Sequence, residues 1–187
     1  MKDIEVTLQT ETHYINNIAY NPQVFINVYD YYFPRVYNYI YYRCSNEIIC
    51  DDLTSEVFER ALVNIHTFDP KKGKFGTWIF AIARNVVNNH FRLLKVKKYL
   101  SIDTLFNNKT IKAHEPNPEH NVINRETNQE LIDAIKTLDQ RERDILGLKF
   151  ASQMTNRKIS KVTGLTESNV GVILYRAIKK LRILLDT

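Results

Sequence analysis

Apolar residues return at intervals of three and four through most of this chain, the spacing that aligns side chains on one face of an α-helix. Between Gln23 and Arg43 they are Val24, Phe25, Val28, Tyr29, Tyr32, Val36, Tyr37 and Ile40. This predicts a helix broken or kinked at Pro34, whose ring removes a backbone donor. A second stripe, Leu53, Val57, Phe58, Ala61, Leu62 and Ile65, predicts a helix capped by Asp51, with Asp52, Ser55, Glu56, Glu59 and Arg60 facing outward. Thr77 is expected to cap a long third helix reaching about Lys98, with Ile79, Ile82, Ala83, Val86, His90 and Leu94 inward. Arg84, Asn85, Asn88, Asn89, Arg92 and Lys95 stack on its other side. A sandwich or barrel needs more turn residues than the 5 Gly and 5 Pro present, so the expected class is all-α.

Periodicity lapses between the third helix and about residue 120, where Asn107-Asn108 and Pro116-Asn117-Pro118 read as a flexible linker. It resumes with a helix ending near Leu138. Asp139 and Glu142 then form a capping box for a helix through about Phe150. Thr155 caps a short helix with Ile159 and Val162 inward, Gly164 permits a turn, and Thr166 caps a final helix striped by Val170, Leu174, Ala177, Ile178 and Leu181. The organisation expected is a polar lead-in over 1–22, a helical domain over 23–98, a linker over 99–125 and a second small helical domain, a helix-turn-helix, over 126–187.

Charge is distributed unevenly. Residues 1–69 carry 4 basic and 10 acidic side chains, a net of −6, whereas residues 70–102 carry 8 basic and no acidic ones. Residues 103–187 carry 14 basic and 11 acidic, so −6, +8 and +3 give the chain its net +5. An acidic front followed by an acid-free basic block suggests two partners of opposite character, one of them a polyanion. Cys44 and Cys50 form no CxxC pair and read as reduced thiols of a cytoplasmic protein. No signal peptide and no membrane-spanning run is expected. Asp51-Asp52 has no accompanying His or carboxylate cluster, so neither a catalytic nor a metal site is expected, and no cofactor.

Two surfaces suit nucleic acid. In the final helix Ser168, Val172, Tyr175 and Lys179 lie opposite the apolar stripe, flanked by Asn169, Arg176 and Arg182. Short polar side chains at a helix start can read base edges, while basic ones meet phosphates. From Lys71 to Lys98, Lys, Arg and Asn are interleaved with aromatics including Phe75 and Trp78, with Phe68 just ahead. That combination suits separated strands, held by charge along the backbone and by stacking of unpaired bases. The acidic helix from Asp51 to Arg60 suits a protein partner.

These segments together resemble the extracytoplasmic-function group of bacterial RNA polymerase sigma factors. The resemblance runs through Tyr31-Tyr32-Phe33-Pro34-Arg35-Val36-Tyr37, Asp51-Asp52-Leu53-Thr54-Ser55-Glu56-Val57-Phe58 and Phe68-Asp69-Pro70-Lys71-Lys72-Gly73-Lys74-Phe75. It continues through Thr77 to Asn85, Pro116-Asn117-Pro118-Glu119, Leu138 to Phe150 and Val170 to Leu181. It implies a non-enzymatic transcription initiation factor that binds the clamp coiled coil and flap of core RNA polymerase and opens promoter DNA without ATP. Asp51, Asp52, Leu53, Glu56 and Phe58 would dock on the polymerase. Phe68, Lys71, Lys72, Lys74, Phe75, Trp78, Arg84, Asn85, Asn88 and Arg92 would serve the minus-ten element. Thr166, Ser168, Asn169, Val172, Tyr175, Arg176 and Lys179 would read the minus-thirty-five element. An anti-sigma partner is implied as well. One departure stands out: Gly171-Val172-Ile173 lacks the basic residue many relatives carry there, leaving Val172 to meet a thymine methyl. From the residues alone, a stand-alone duplex-binding regulator, a single-strand-binding module and a nuclease are the rivals.

Overall fold

The computed structural model describes residues 22–100 and 125–185, and all regular structure in them is helical. All of the expected lead-in but Pro22, and nearly all of the expected linker, lie outside the described residues. Helix α1 (Pro22–Cys44) is followed by α2 (Glu47–Val63), a 3-10 turn at Ile65–Thr67 and α3 (Phe75–Leu100). The second half comprises α4 (Arg125–Lys136), α5 (Gln140–Phe150), α6 (Asn156–Thr163) and α7 (Glu167–Leu185). Among the described residues no helix is long and apolar enough to cross a membrane.

Three local expectations are corrected. Pro34 does not break α1, which runs through it. It sits on the exposed side, where solvent can replace the lost backbone hydrogen bond. Asp51 is not the cap of α2, because Asn46 accepts the Ile49 N–H at 3.1 Å and the helix starts at Glu47. Asn caps as well as Asp, and the added turn buries Cys50. Helix α3 likewise starts at Phe75, ahead of Thr77, because Phe75 is drawn into the core at 3% exposure. Three inward assignments also fail, since Leu62, Leu94 and Ile178 are exposed.

Helices α1, α2 and α3 close around Val36, Tyr39, Ile40, Val57, Ile79, Phe80, Ala83 and Val87, all buried. The same cluster takes in Ile145, Leu148, Met154, Ile159, Val170 and Leu174 from the second half. The two halves therefore share a core along α1 and α3. A separate cluster, Ile132, Ala134, Ile135, Leu138, Leu146, Ala177 and Leu181, binds α4 and α5 to α7.

The second half is locally over-determined. The Glu142 N–H donates to Asp139 Oδ1 at 2.8 Å, and the Asp139 N–H donates to Glu142 Oε2 at 3.0 Å, the expected capping box. Glu142 Oε1 accepts from Lys180 Nζ at 2.6 Å, tying α5 to α7. Thr155 caps α6, and Gly164 ends it at φ 74, a left-handed conformation that suits glycine. Thr166 Oγ1 accepts the Asn169 N–H at 3.2 Å, as a cap of α7 should.

Candidate nucleic-acid interface

The loop between the 3-10 turn and α3 rests on an aromatic base. Phe68 meets Phe75 edge-on at 5.5 Å between ring centroids and lies 5.6 Å from Trp78, and Phe75 and Trp78 are 5.3 Å apart. Such tilted and edge-to-face pairs are the favoured arrangement for aromatic quadrupoles. Phe75 is a core residue, whereas Phe68 and Trp78 are half-buried, each leaving part of its ring accessible. Asp69 shapes the loop, accepting the Lys71 N–H on its side chain at 2.9 Å and the Lys72 N–H on its carbonyl at 3.0 Å. The result exposes Lys71, Lys72 and Lys74 around an open Gly73. A rigid aromatic floor rimmed by cations can hold a phosphodiester strand and offer ring surface to a base.

Along α3, Asn85 and Arg92 are exposed, Arg92 donating to Asn89 Oδ1 at 2.8 Å. Arg84 is placed differently from its expected free position. Its Nε donates to Asp144 Oδ2 of α5 at 2.8 Å, and its side chain is only 24% exposed. Asn88 Oδ1 accepts from Arg43 Nη2 at 3.1 Å. Both residues lie against a polar cluster in which Asp144 also accepts from the Tyr39 hydroxyl at 2.7 Å and pairs with Arg43. Burial, reinforced by the Asp144 charge, raises the Tyr39 hydroxyl well above the usual phenol range. Sequence reasoning missed Tyr39, Arg43 and Asp144. The available signal was Arg43 continuing the buried stripe through Val36, Tyr39 and Ile40.

On the acidic helix, Asp51 and Asp52 are exposed, and Glu56 is half-buried and paired with Arg60. Leu53 and Phe58, implied to belong to the polymerase-docking set, instead point into the core at 6% and 5% exposure. In this structure they hold the helix in place while its acidic side faces out. Burial pushes the Cys44 thiol up to about 11 and the Cys50 thiol up to about 12.

On α7, Thr166, Ser168, Asn169, Val172, Tyr175, Arg176 and Lys179 are all exposed, with Val170, Leu174, Ala177 and Leu181 buried beneath them. Lys180 is the exception among the flanking cations, being engaged by Glu142. A Cβ on Gly171 would meet only Asn156 Nδ2, at 3.8 Å, so packing does not demand glycine there.

Two family models match this chain: sigma-70 region 2 over residues 28–95 and sigma-70 region 4 over residues 128–181. Among curated relatives it is 33% identical over 161 residues to the ECF RNA polymerase sigma factor BldN of Streptomyces coelicolor, covering 86% of this chain and 60% of that protein. It is 28% identical to the ECF RNA polymerase sigma factor SigM of Bacillus subtilis, covering 84% of this chain and 92% of that protein. Among solved structures, CnrH in complex with the cytosolic domain of CnrY aligns with TM-score 0.68 at 19% identity, over 94% of this chain and 97% of that one. The sigma factor RpoE in complex with the anti-sigma factor NepR from Bartonella quintana aligns with TM-score 0.67 at 18% identity, over 87% and 97%. A loop of cations on an aromatic floor and an exposed helix-turn-helix thus sit within the matched regions, and the chain belongs to the sigma-70 family of RNA polymerase sigma factors, in its extracytoplasmic-function group.

Proposed function

We propose that this protein binds core RNA polymerase, recognises the minus-ten and minus-thirty-five elements of its promoters and promotes strand opening to start transcription. The observation that carries this reading is the pairing, in one chain, of the lysine-rimmed aromatic loop with the exposed face of α7. The first is suited to unpaired bases and the second to a major groove. Opening is then equilibrium capture: a base held out of the stack by the Phe68–Phe75 loop shifts a duplex that alone stays closed.

Residues 23–98 would form the docking and melting unit, 99–125 the connection and 126–187 the minus-thirty-five unit. The outward acids of α2, Asp51, Asp52 and Glu56, would meet a basic surface on the polymerase clamp coiled coil, with charge complementarity steering the encounter. Leu53 and Phe58 support that face from within. The protein works as a cytoplasmic, non-enzymatic factor. An anti-sigma partner is proposed because the RpoE structure similar to this chain is a complex with one.

Run-off transcription from the promoter upstream of its own gene, using purified core polymerase, tests the reading. A transcript that appears only when the protein is added is the expected result. Duplex binding by the protein alone with no transcript would instead favour a stand-alone regulator.

A further inference from the structure

Gly171 lies inside α7, between Ser168 and Tyr175 on one row of the helix, and both of those side chains are exposed. Glycine weakens a helix interior relative to alanine, and its usual compensation is a close approach that a side chain would block. Packing within the protein supplies no such approach. A Cβ at 171 would meet open space except at Asn156 Nδ2 of α6, 3.8 Å away. That amide is held from behind, because Lys149 Nζ of α5 donates to Asn156 Oδ1 at 3.2 Å. The carbonyl end of Asn156 is thereby turned to α5, and its NH2 end borders the space over Gly171, donating to no group among the described residues. The surroundings are cationic: α6 carries Arg157, Lys158 and Lys161, against the single acid Glu167 in the first two turns of α7.

We propose that Asn156 is a phosphate-binding residue of the duplex-DNA surface, and that Gly171 is the clearance through which a DNA backbone oxygen reaches its Nδ2. The inference rests on the reading of α7 as the minus-thirty-five surface. The amide lies at the α6 side of that surface, away from Val172, and the Lys149 ammonium on its oxygen polarises it toward donation to an anion. Phosphate contacts of this kind fix how a recognition helix sits on the duplex without reading sequence. Asn156 then sets the seat of α7, while Ser168, Asn169 and Val172 meet base edges.

The test uses the full chain assembled with core RNA polymerase, on duplex DNA carrying the promoter upstream of its own gene. Asn156→Ala removes the amide. Asn156→Asp keeps an acceptor for Lys149 but places a negative charge where the donor was. Gly171→Leu fills the clearance with a better helix former. Equilibrium binding gives the affinity, ethylation interference maps the phosphates that must stay free, and circular dichroism melting reports the fold. We expect Asn156→Ala to bind about tenfold more weakly and Asn156→Asp more weakly still. Gly171→Leu should also lose affinity, although it melts at or above the wild-type temperature. One phosphate beside the minus-thirty-five element, inhibitory when ethylated with the wild type, should become indifferent in all three variants. Wild-type affinity in Asn156→Asp would show that Asn156 only ties α5 to α6 and would overturn the proposal. Unchanged affinity and interference in Asn156→Ala or in Gly171→Leu would overturn it too. Arg176→Ala is the control for the underlying reading. If it alone weakens binding, only the assignment of Asn156 and Gly171 falls; if it has no effect either, the reading of α7 as a DNA surface falls with it.

Discussion

Replacing Arg43 by Met and Asp144 by Leu, singly and together, probes the buried charges between the halves. Asp144 accepts from Tyr39 at 2.7 Å and from Arg84 at 2.8 Å and pairs with Arg43, all across the α1–α5 and α3–α5 contacts. Asp144→Leu leaves the Arg43 guanidinium, 4% exposed, with only the Tyr39 and Asn88 oxygens. Breaking a buried pair in this way costs about 3–5 kcal/mol, since the remaining charge is uncompensated. Arg43→Met should cost less, about 1–3 kcal/mol, because Asp144 keeps two of its three donors. In the double variant no charge remains buried: Arg84, 24% exposed, can turn to solvent, and the main loss is the Tyr39 hydroxyl's acceptor. The double should therefore be more stable than Asp144→Leu alone. Urea unfolding followed by helical circular dichroism measures all three. If the halves separate before they unfold, the cost of Asp144→Leu cannot exceed the opening free energy, and scattering at zero urea detects that state. Two single costs that simply add, or an Asp144→Leu effect below about 0.5 kcal/mol, would refute the reasoning.

Other outcomes are expected elsewhere in the molecule. Ile159→Ala removes a fully buried side chain from beneath the helix-turn-helix and should cost about 2–5 kcal/mol in urea unfolding. Because Asp52 is exposed and Glu56 shares its face, Asp52→Lys with Glu56→Lys should weaken core polymerase binding in a pull-down without changing helicity; unchanged binding would remove α2 from the docking surface. With thiols raised by burial from 9.0 to about 11 and about 12, native Cys44 and Cys50 should alkylate at pH 8 on the order of 100-fold and 1,000-fold more slowly, respectively, than in urea. The sign for stability follows. A raised folded value makes the unfolded chain lose its thiol protons first, so stability should fall as pH rises from about 9 toward 11. Chemical denaturation across that window measures it. Lys72→Ala with Lys74→Ala, both exposed on the loop, should reduce permanganate reactivity of promoter thymines in the presence of core polymerase.

How far the helices were legible in the sequence varies with how local their determinants are. The capping box of Asp139 and Glu142 and the caps at Thr155 and Thr166 are where the residues implied, because a cap is settled by contacts three residues away. Asp51 and Thr77 failed as caps for a tertiary reason. Burial of Cys50 and Phe75 rewards helix that begins earlier than the nearest polar residue suggests. Leu62 followed the helical period and is nonetheless exposed, since a period orients a face but does not provide the neighbour that covers it.

The sequence by itself determined the helical class, the placement of a basic aromatic loop ahead of a long helix, and the exposed polar face of the last helix. Each depends on spacing and charge within a few turns of chain. Only the tertiary structure decided that Arg84 is drawn to a buried carboxylate, and that Asn88, still exposed, accepts from a buried guanidinium. It also decided that Leu53 and Phe58 support the acidic face from inside, and that Gly147 serves close approach to Tyr39. Asp144 and Tyr39 are 105 residues apart, and no local pattern encodes a hydrogen bond between them. That bond exists because α5 buries Ile145 and Leu148 in the shared core, which places Asp144 against α1 and α3 with its side chain only 7% exposed, so its carboxylate must be satisfied by protein donors.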